Sequence, residues 1–283
     1  MTETNNPCQD LRLEVDYYTD PICSDCWALE PIRIRLEAEY GHLLTLHTRM
    51  GGLMRDWDRF AAPRDGIDQP SDIAPLWEEL GRQTHMPIDG DIWLEDPLDS
   101  SYPPSIAYKA AQEQDPQLAE HFLRRLRELV VAMKQNITRE DVLRRTALEV
   151  GLDADRLLED ARDPDTIQRF MEEKTICLDI GVNSLPTLIF RNSEGRALRV
   201  PGTRPYEHYV FAMEKLLGAA PTPRPITLTV EEAVTKHRSL ATTELVMLLQ
   251  RPEADVLAEL ESLAVAGRVE KIPLKNGAFW RAR

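Results

Sequence analysis

Cysteine is scarce in this chain: four occur among 283 residues, Cys8, Cys23, Cys26 and Cys177, too few for a disulfide-stapled scaffold. Long apolar runs are missing, and no stretch approaches the length of a membrane span. Met1 to Asp10 is polar, without the cationic start and apolar run of a signal peptide, so the cytosol is the expected compartment. Positive charge is not in excess. Lys and Arg number 34 against 48 Asp and Glu, a net charge of -14, which argues against a general nucleic-acid or anionic-membrane surface. From Ile226 to Arg283 eight cations balance eight anions, so the first 225 residues carry the whole acidic excess. The six histidines, His85 and His208 among them, show neither metal spacing nor pairing with a nucleophile, and read as surface or packing residues. Neither an internal repeat nor a low-complexity tract is visible.

Two of the cysteines are placed for chemistry. Leu11, Leu13, Val15 and Tyr17 alternate with polar partners in the period of a strand, and Trp27 to Tyr40 reads as a helix closed by Gly41. Cys23-Ser24-Asp25-Cys26 lies between them, at a helix N-terminus, where free N–H groups and the helix dipole favour a thiolate. A thiolate attacks disulfides, and a second thiol can close the intermediate. The alternative, half a zinc site, needs a second Cys or His pair that the chain does not space correctly.

Strand Leu43 to Arg49 follows, ending at Gly51-Gly52. A mostly helical stretch comes next: a helix capped by Ser71 and running through Leu80, irregular chain from Met86 to Pro104, then Ser105 to Gln114. Asp115-Pro116 opens a helix with Phe122, Leu126, Leu129, Val130 and Met133 inward, and Thr138 with Asp141 resembles a capping box. Another helix runs from Asp163-Pro164 to Gly181. Ser184-Leu185-Pro186-Thr187 then leads into strand Leu188 to Phe190, a turn at Asn192 to Gly195, strand Ala197 to Val200 and helix Tyr206 to Leu217. The expected organisation is an α/β domain of residues 11–54 and 182–218, a helical insertion of residues 55–181, and residues 219–283 as a proline-rich linker with a C-terminal module. Three helices, the first capped by Thr229 and Glu232, and a hairpin turning at Asn276-Gly277 make that module winged-helix-like.

The strand–Cys-x-x-Cys–helix start, with Ser184-Leu185-Pro186-Thr187 before a strand, resembles the thioredoxin superfamily. The helical insertion looks like the DsbA branch. Asp20 to Pro31, together with Met50-Gly51-Gly52-Leu53-Met54 and Ser100-Ser101-Tyr102-Pro103-Pro104, resembles its cytosolic FrnE-like and SpxH-like subgroup. The resemblance spans about residues 11 to 217 and implies an α/β thioredoxin-like fold with a cis Pro186 facing the cysteines. It implies a protein thiol–disulfide oxidoreductase, or else an adaptor for the ClpXP protease in which the dithiol is a sensor or relic.

On this reading Cys23, the first and exposed thiol, is the nucleophile, and Cys26 is the buried resolving thiol. Ser24 either donates to the Cys23 thiolate or caps the helix. Asp25 disfavours a second negative charge and raises the Cys23 pKa, pointing away from a strong oxidase toward a reductase, an isomerase or a site no longer turning over. Leu185, Pro186 and Thr187 present backbone to an extended substrate. Trp27 covers the pair or fills the core. Trp57, Trp77 and Trp93 are candidates to line an apolar groove above it. Cys177 is expected to be buried and inert, Cys8 a free thiol. The expected partners are a client protein or peptide with cysteines and a protease or regulator. No cofactor, metal, nucleic acid or membrane is expected. DNA binding by the C-terminal module is disfavoured by its neutral charge, and a glutathione-transferase-like activity by the dithiol.

Overall fold

The computed structural model describes residues 12–61 and 66–283, which leaves Cys8 and Leu11 outside. In chain order the first elements are β1 (Leu13–Thr19), α1 (Ser24–Ala28), α2 (Glu30–Tyr40), β2 (Leu44–Met50) and α3 (Trp57–Phe60). A helical run follows: α4 (Ile73–Thr84), α5 (Ile92–Glu95), α6 (Tyr102–Gln114), α7 (Pro116–Arg127), α8 (Glu140–Val150), α9 (Ala154–Asp160) and α10 (Pro164–Asp179). The chain then returns through β3 (Thr187–Arg191), β4 (Ala197–Pro201) and α11 (Tyr206–Leu217). The last elements are α12 (Val230–His237), β5 (Ser239–Ala241), α13 (Thr242–Leu249), α14 (Glu253–Val265), β6 (Val269–Leu274) and β7 (Gly277–Ala282).

The first sheet has the order β2-β1-β3-β4, with β1 parallel to β2 and antiparallel to β3. Because β1 is central, Glu14 is its only exposed residue. Leu13, Val15 and Tyr17 face α2 and α11 over a core that includes Leu36, Phe190 and Met213. On the opposite face Tyr18 and Ile189 pack with Cys177 of α10. This is a thioredoxin-like α/β fold with a large helical insertion between β2 and β3.

Several local expectations shift. The helix expected from Trp27 begins at Ser24 and breaks at Leu29, because Pro31 has no N–H to continue the ladder. Asn136 accepts from the Thr138 N–H, so no Thr138–Asp141 box forms and Arg139 precedes α8. Gln69 and Asp72, not Ser71, cap the turn before α4. α7 continues directly into a π-helical turn over Glu128–Ala132.

At the C-terminus the three helices and the hairpin fall where the sequence places them, with the Thr229–Glu232 capping box formed. Strand β5, three residues long, was not legible; it pairs with β7 to complete a sheet of order β5-β7-β6. This unit does not hang from a free linker. Arg224 N–H donates to the Glu39 carbonyl at 2.8 Å, laying the proline-rich segment on α2. Ile34 of α2 joins the unit's own core, while Phe279 of β7 enters the core of the insertion. The hairpin turn also locks in: Asn276 accepts from Ile88 N–H at 3.0 Å, and Lys275 lies 2.8–3.3 Å from Glu78, Asp89 and Asp91.

Candidate functional site

Cys23 is itself the N-cap of α1: its backbone is extended and its Sγ accepts from the Cys26 N–H at 3.1 Å. Both thiols are free and buried, Cys26 completely and Cys23 with 4% of its surface exposed. The expectation of an exposed Cys23 is therefore corrected. Its environment also reverses the helix-terminus argument for a thiolate. Burial pushes the Cys23 thiol well above its ordinary value, and the Cys26 thiol and then the Asp25 charge add to this; the single Cys26 N–H only partly opposes them. Asp25 thus acts in the direction its charge implies, but burial outranks it. Asp25 is exposed, and its carbonyl accepts from Thr203 Oγ1. Ser24 is buried and makes no side-chain hydrogen bond to Cys23, which does the capping in its place.

Across from the pair, the Leu185–Pro186 bond is cis. Pro186 is buried and its carbonyl accepts from Gly202 N–H at 2.7 Å, while Thr187 Oγ1 donates to the Ser184 carbonyl. The Leu185 backbone makes no hydrogen bond among the described residues and its side chain is half-buried. Gly51 packs beside it: a Cβ there would stand 2.8 Å from Leu185 Cδ1 and make that side chain shift.

Cys23 and Leu185 border one groove of about 370 Å³, walled by α4. Trp77 and Trp93 line it, packed edge to face at 5.5 Å, together with the exposed Leu76. Trp57 does not reach it and instead packs on Phe60. Trp27 lies elsewhere. Fully buried, it donates Nε1–H to the Pro87 carbonyl at 2.9 Å, meets Phe279 edge-on at 5.8 Å, and carries the Arg124 guanidinium over its ring. Cys177 is buried on the far face of the sheet, its thiol pushed up to about 11 by burial.

Asp20, three residues before Cys23, is a site residue that sequence reasoning passed over. Completely buried, its carboxylate accepts from Ile22 N–H (3.0 Å), Leu53 N–H (2.8 Å) and Ser101 Oγ (2.7 Å). Ser101 N–H in turn donates to the Met54 carbonyl. One carboxylate thus joins the cysteine loop to the Gly51-Gly52-Leu53-Met54 and Ser100-Ser101 segments. Burial raises its pKa to about 6 despite the three donors. The signal was the aspartate itself, an acid before Pro21 in a loop otherwise apolar.

Beneath the pair, Glu30 is 1% exposed and is held by Arg33 and Arg127. Burial alone would raise its pKa; Arg33, Arg127 and Arg124 outweigh that and hold it at about 2. Arg124 also grips Glu244, a fully buried residue of the C-terminal unit.

A dithiol at a helix start, beside a cis-proline loop under a helical insertion, defines a thioredoxin-like protein. A thioredoxin family model matches residues 17–211, and the chain belongs to that family. It is 33% identical over 271 residues to the "ClpXP adapter protein SpxH" of Halalkalibacterium halodurans, covering 95% of this chain and 88% of that one. Among solved structures it is similar to a putative protein disulfide isomerase from Nitrosomonas europaea, with a TM-score of 0.61 at 19% identity over 73% of this chain and 96% of that one. It is also similar to the cytosolic disulfide reductase DsbM of Pseudomonas aeruginosa, with a TM-score of 0.52 at 20% identity over 72% and 95%. The structural neighbours share the fold; the adaptor relative extends over nearly the whole chain.

Proposed function

We propose that this protein is a cytoplasmic adaptor of the SpxH type, which holds a client segment in the groove beside Cys23 and presents it to a ClpXP-type protease. The carrying observation is Cys23 itself: it is 4% exposed and burial disfavours its thiolate, which argues against rapid nucleophilic turnover at neutral pH. The likeness to the adaptor over 95% of the chain, C-terminal unit included, supports the same reading. The free Leu185 backbone offers strand-type pairing to the client, and Trp77, Trp93 and Leu76 offer apolar contact. The dithiol then serves as a redox-responsive element of the groove.

A second reading, protein thiol–disulfide exchange, is favoured by two free thiols at one helix start, Cys23 as the N-cap and Cys26 in the first turn. Here the Cys23 thiolate attacks a client disulfide and releases one client thiolate. Cys26 then attacks Cys23, releasing the second client thiol and leaving a Cys23–Cys26 disulfide, which an external thiol must reduce.

The test is client half-life in cells carrying the native chain, no chain, or Cys23→Ser with Cys26→Ser. Turnover that depends on the protein and survives the double substitution supports the adaptor. Turnover lost with the double substitution, with Cys26→Ser accumulating mixed disulfides through Cys23, supports exchange. If no protein changes half-life without the chain, the adaptor reading fails.

A further inference from the structure

β2 is an outermost strand of its sheet, and its pairing with β1 fixes which of its backbone groups face outward. Leu13 N–H donates to the Leu43 carbonyl at 2.8 Å, and Gly51 N–H to the Thr19 carbonyl at 2.7 Å. In a parallel pair this commits Thr45, His47 and Arg49 to β1 and turns the N–H and C=O of Leu44, Leu46, Thr48 and Met50 away from the sheet. The outward N–H of Met50 is taken by Glu173 Oε2 at 3.0 Å. Those of Leu44, Leu46 and Thr48, and their carbonyls, have no hydrogen-bond partner among the described residues. Thr48 is only 5% exposed, so its backbone has little water to turn to. Native sheets usually blunt or cover such an edge, and here only the Met50 end is closed.

A trough of about 460 Å³ runs along this edge, floored by Leu46 to Arg49 and walled by α2 on one side and by α6 and α7 on the other. An apolar crevice of about 270 Å³ opens from it between α2 and the sheet, lined by Ile32, Leu36, Leu44 and Leu46. The two share Arg33, Glu37 and Leu46. The trough's guanidinium and ammonium groups are already held. Arg33 pairs with Glu30 and Glu37, Arg49 with Asp16 and Glu173, and Lys109 with Glu173. Arg124 pairs with Glu30, Glu128 and Glu244. Glu120, by contrast, has no ion pair among the described residues and accepts from the Tyr108 hydroxyl. Glu37 has only Arg33, which it shares with Glu30. Burial pushes the Glu37 carboxyl up; Arg33 opposes this, and Glu30 and Glu120 add to it. The charge left over in the trough is therefore negative.

We infer that the β2 edge is a docking site for an extended segment of a partner protein, which adds as a fifth strand and directs a Lys or Arg toward Glu37 and Glu120. Such a strand satisfies the free N–H and C=O groups of Leu44, Leu46 and Thr48, and every second side chain falls toward the apolar crevice. The basic residue supplies the cation that Glu120 lacks. The trough shares no lining residue with the groove beside Cys23, so this second contact stands whether that groove serves an adaptor or an enzyme.

The probe is a capped hexapeptide alternating valine and threonine, with a central lysine in place of one threonine, titrated into the isotope-labelled full chain. The expected result is saturable binding that slows hydrogen exchange of the Leu46 and Thr48 amides about tenfold or more. Leu46→Pro removes an N–H that the fold does not use, so the chain should stay folded and binding should be lost, whereas Leu46→Ala, which keeps that N–H, should still bind. Two further peptides, N-methylated at alternate residues in opposite phases, test the same bonds on the native protein: only one phase should bind. Glu120→Gln should weaken the lysine peptide a few fold and leave its all-threonine counterpart unchanged. No saturable binding overturns the inference, as does protection confined to other amides, full binding by folded Leu46→Pro, equal binding of both methylated peptides, or an equal effect of Glu120→Gln on both sequences. Self-association through β2 without peptide also overturns it, giving the edge to a second copy. Binding should persist in Cys23→Ser with Cys26→Ser; its loss there would place the peptide in the dithiol groove and overturn the inference.

Discussion

Cys23 carries the first prediction at the residue scale. With its thiol buried and pushed up, alkylation by iodoacetamide should be slow at pH 7 and still climbing above pH 9. A rate that levels off below pH 8 would contradict the burial argument. Asp25→Asn should lower the midpoint only part of the way, because burial and Cys26 remain. Asp20 carries the second. Its folded pKa of about 6 lies above the ordinary aspartate value of 3.8, so the folded chain holds this proton more tightly than the unfolded one. The stabilisation it gives is therefore complete below pH 3.8 and is lost as pH rises through about 6, a difference on the order of 3 kcal/mol. Urea unfolding at pH 4.5 and pH 7 should show this decline in the native chain, and Asp20→Asn should flatten it. An equal pH dependence in both would remove Asp20 from the account.

At the scale of elements, α7 is the joint between the dithiol and the C-terminal unit, since Arg124 covers Trp27 and grips Glu244. Arg124→Met should cost roughly 3–5 kcal/mol, because Glu244 would be left charged and unpaired in the core. Denaturant midpoints measure this, and the double variant with Glu244→Gln should recover part of the loss. The recovery distinguishes a broken pair from simple repacking. Much at this scale was legible in the sequence. The strand before Cys23, the helix it opens, the turn at Asn192 to Gly195 and the Thr229 cap all rest on short-range patterns that local chemistry decides. The failures are of another kind. The helix broke at Leu29 because Pro31 outweighed an unbroken apolar stripe. Strand β5 is three residues whose existence depends on β7, some forty positions later. Cys23 was expected to be exposed because a helix start usually is, but it lies 4% exposed at the border of the groove that α4 and Leu185 also line. Asp20 was missed since its partners Leu53 and Ser101 meet it only in the folded chain.

For the whole molecule, the division into three units that the sequence suggests has a thermodynamic counterpart that can be measured. Phe279 and Ala241 belong to the core of the insertion, and Ile34 to the core of the C-terminal unit. Units that share cores in this way should not unfold one at a time. Scanning calorimetry of the full chain should give one transition with calorimetric and van't Hoff enthalpies equal. Two resolved transitions would show the C-terminal unit to be an independent attachment.

The contact of Trp27 with Phe279 has a further consequence, in the order of synthesis. The ring that seals the floor of the dithiol helix belongs to a strand translated after almost everything else it touches. Trp27 therefore gains its edge-on aromatic neighbour only when the final hairpin is in place, so packing on this face of the dithiol helix is completed last.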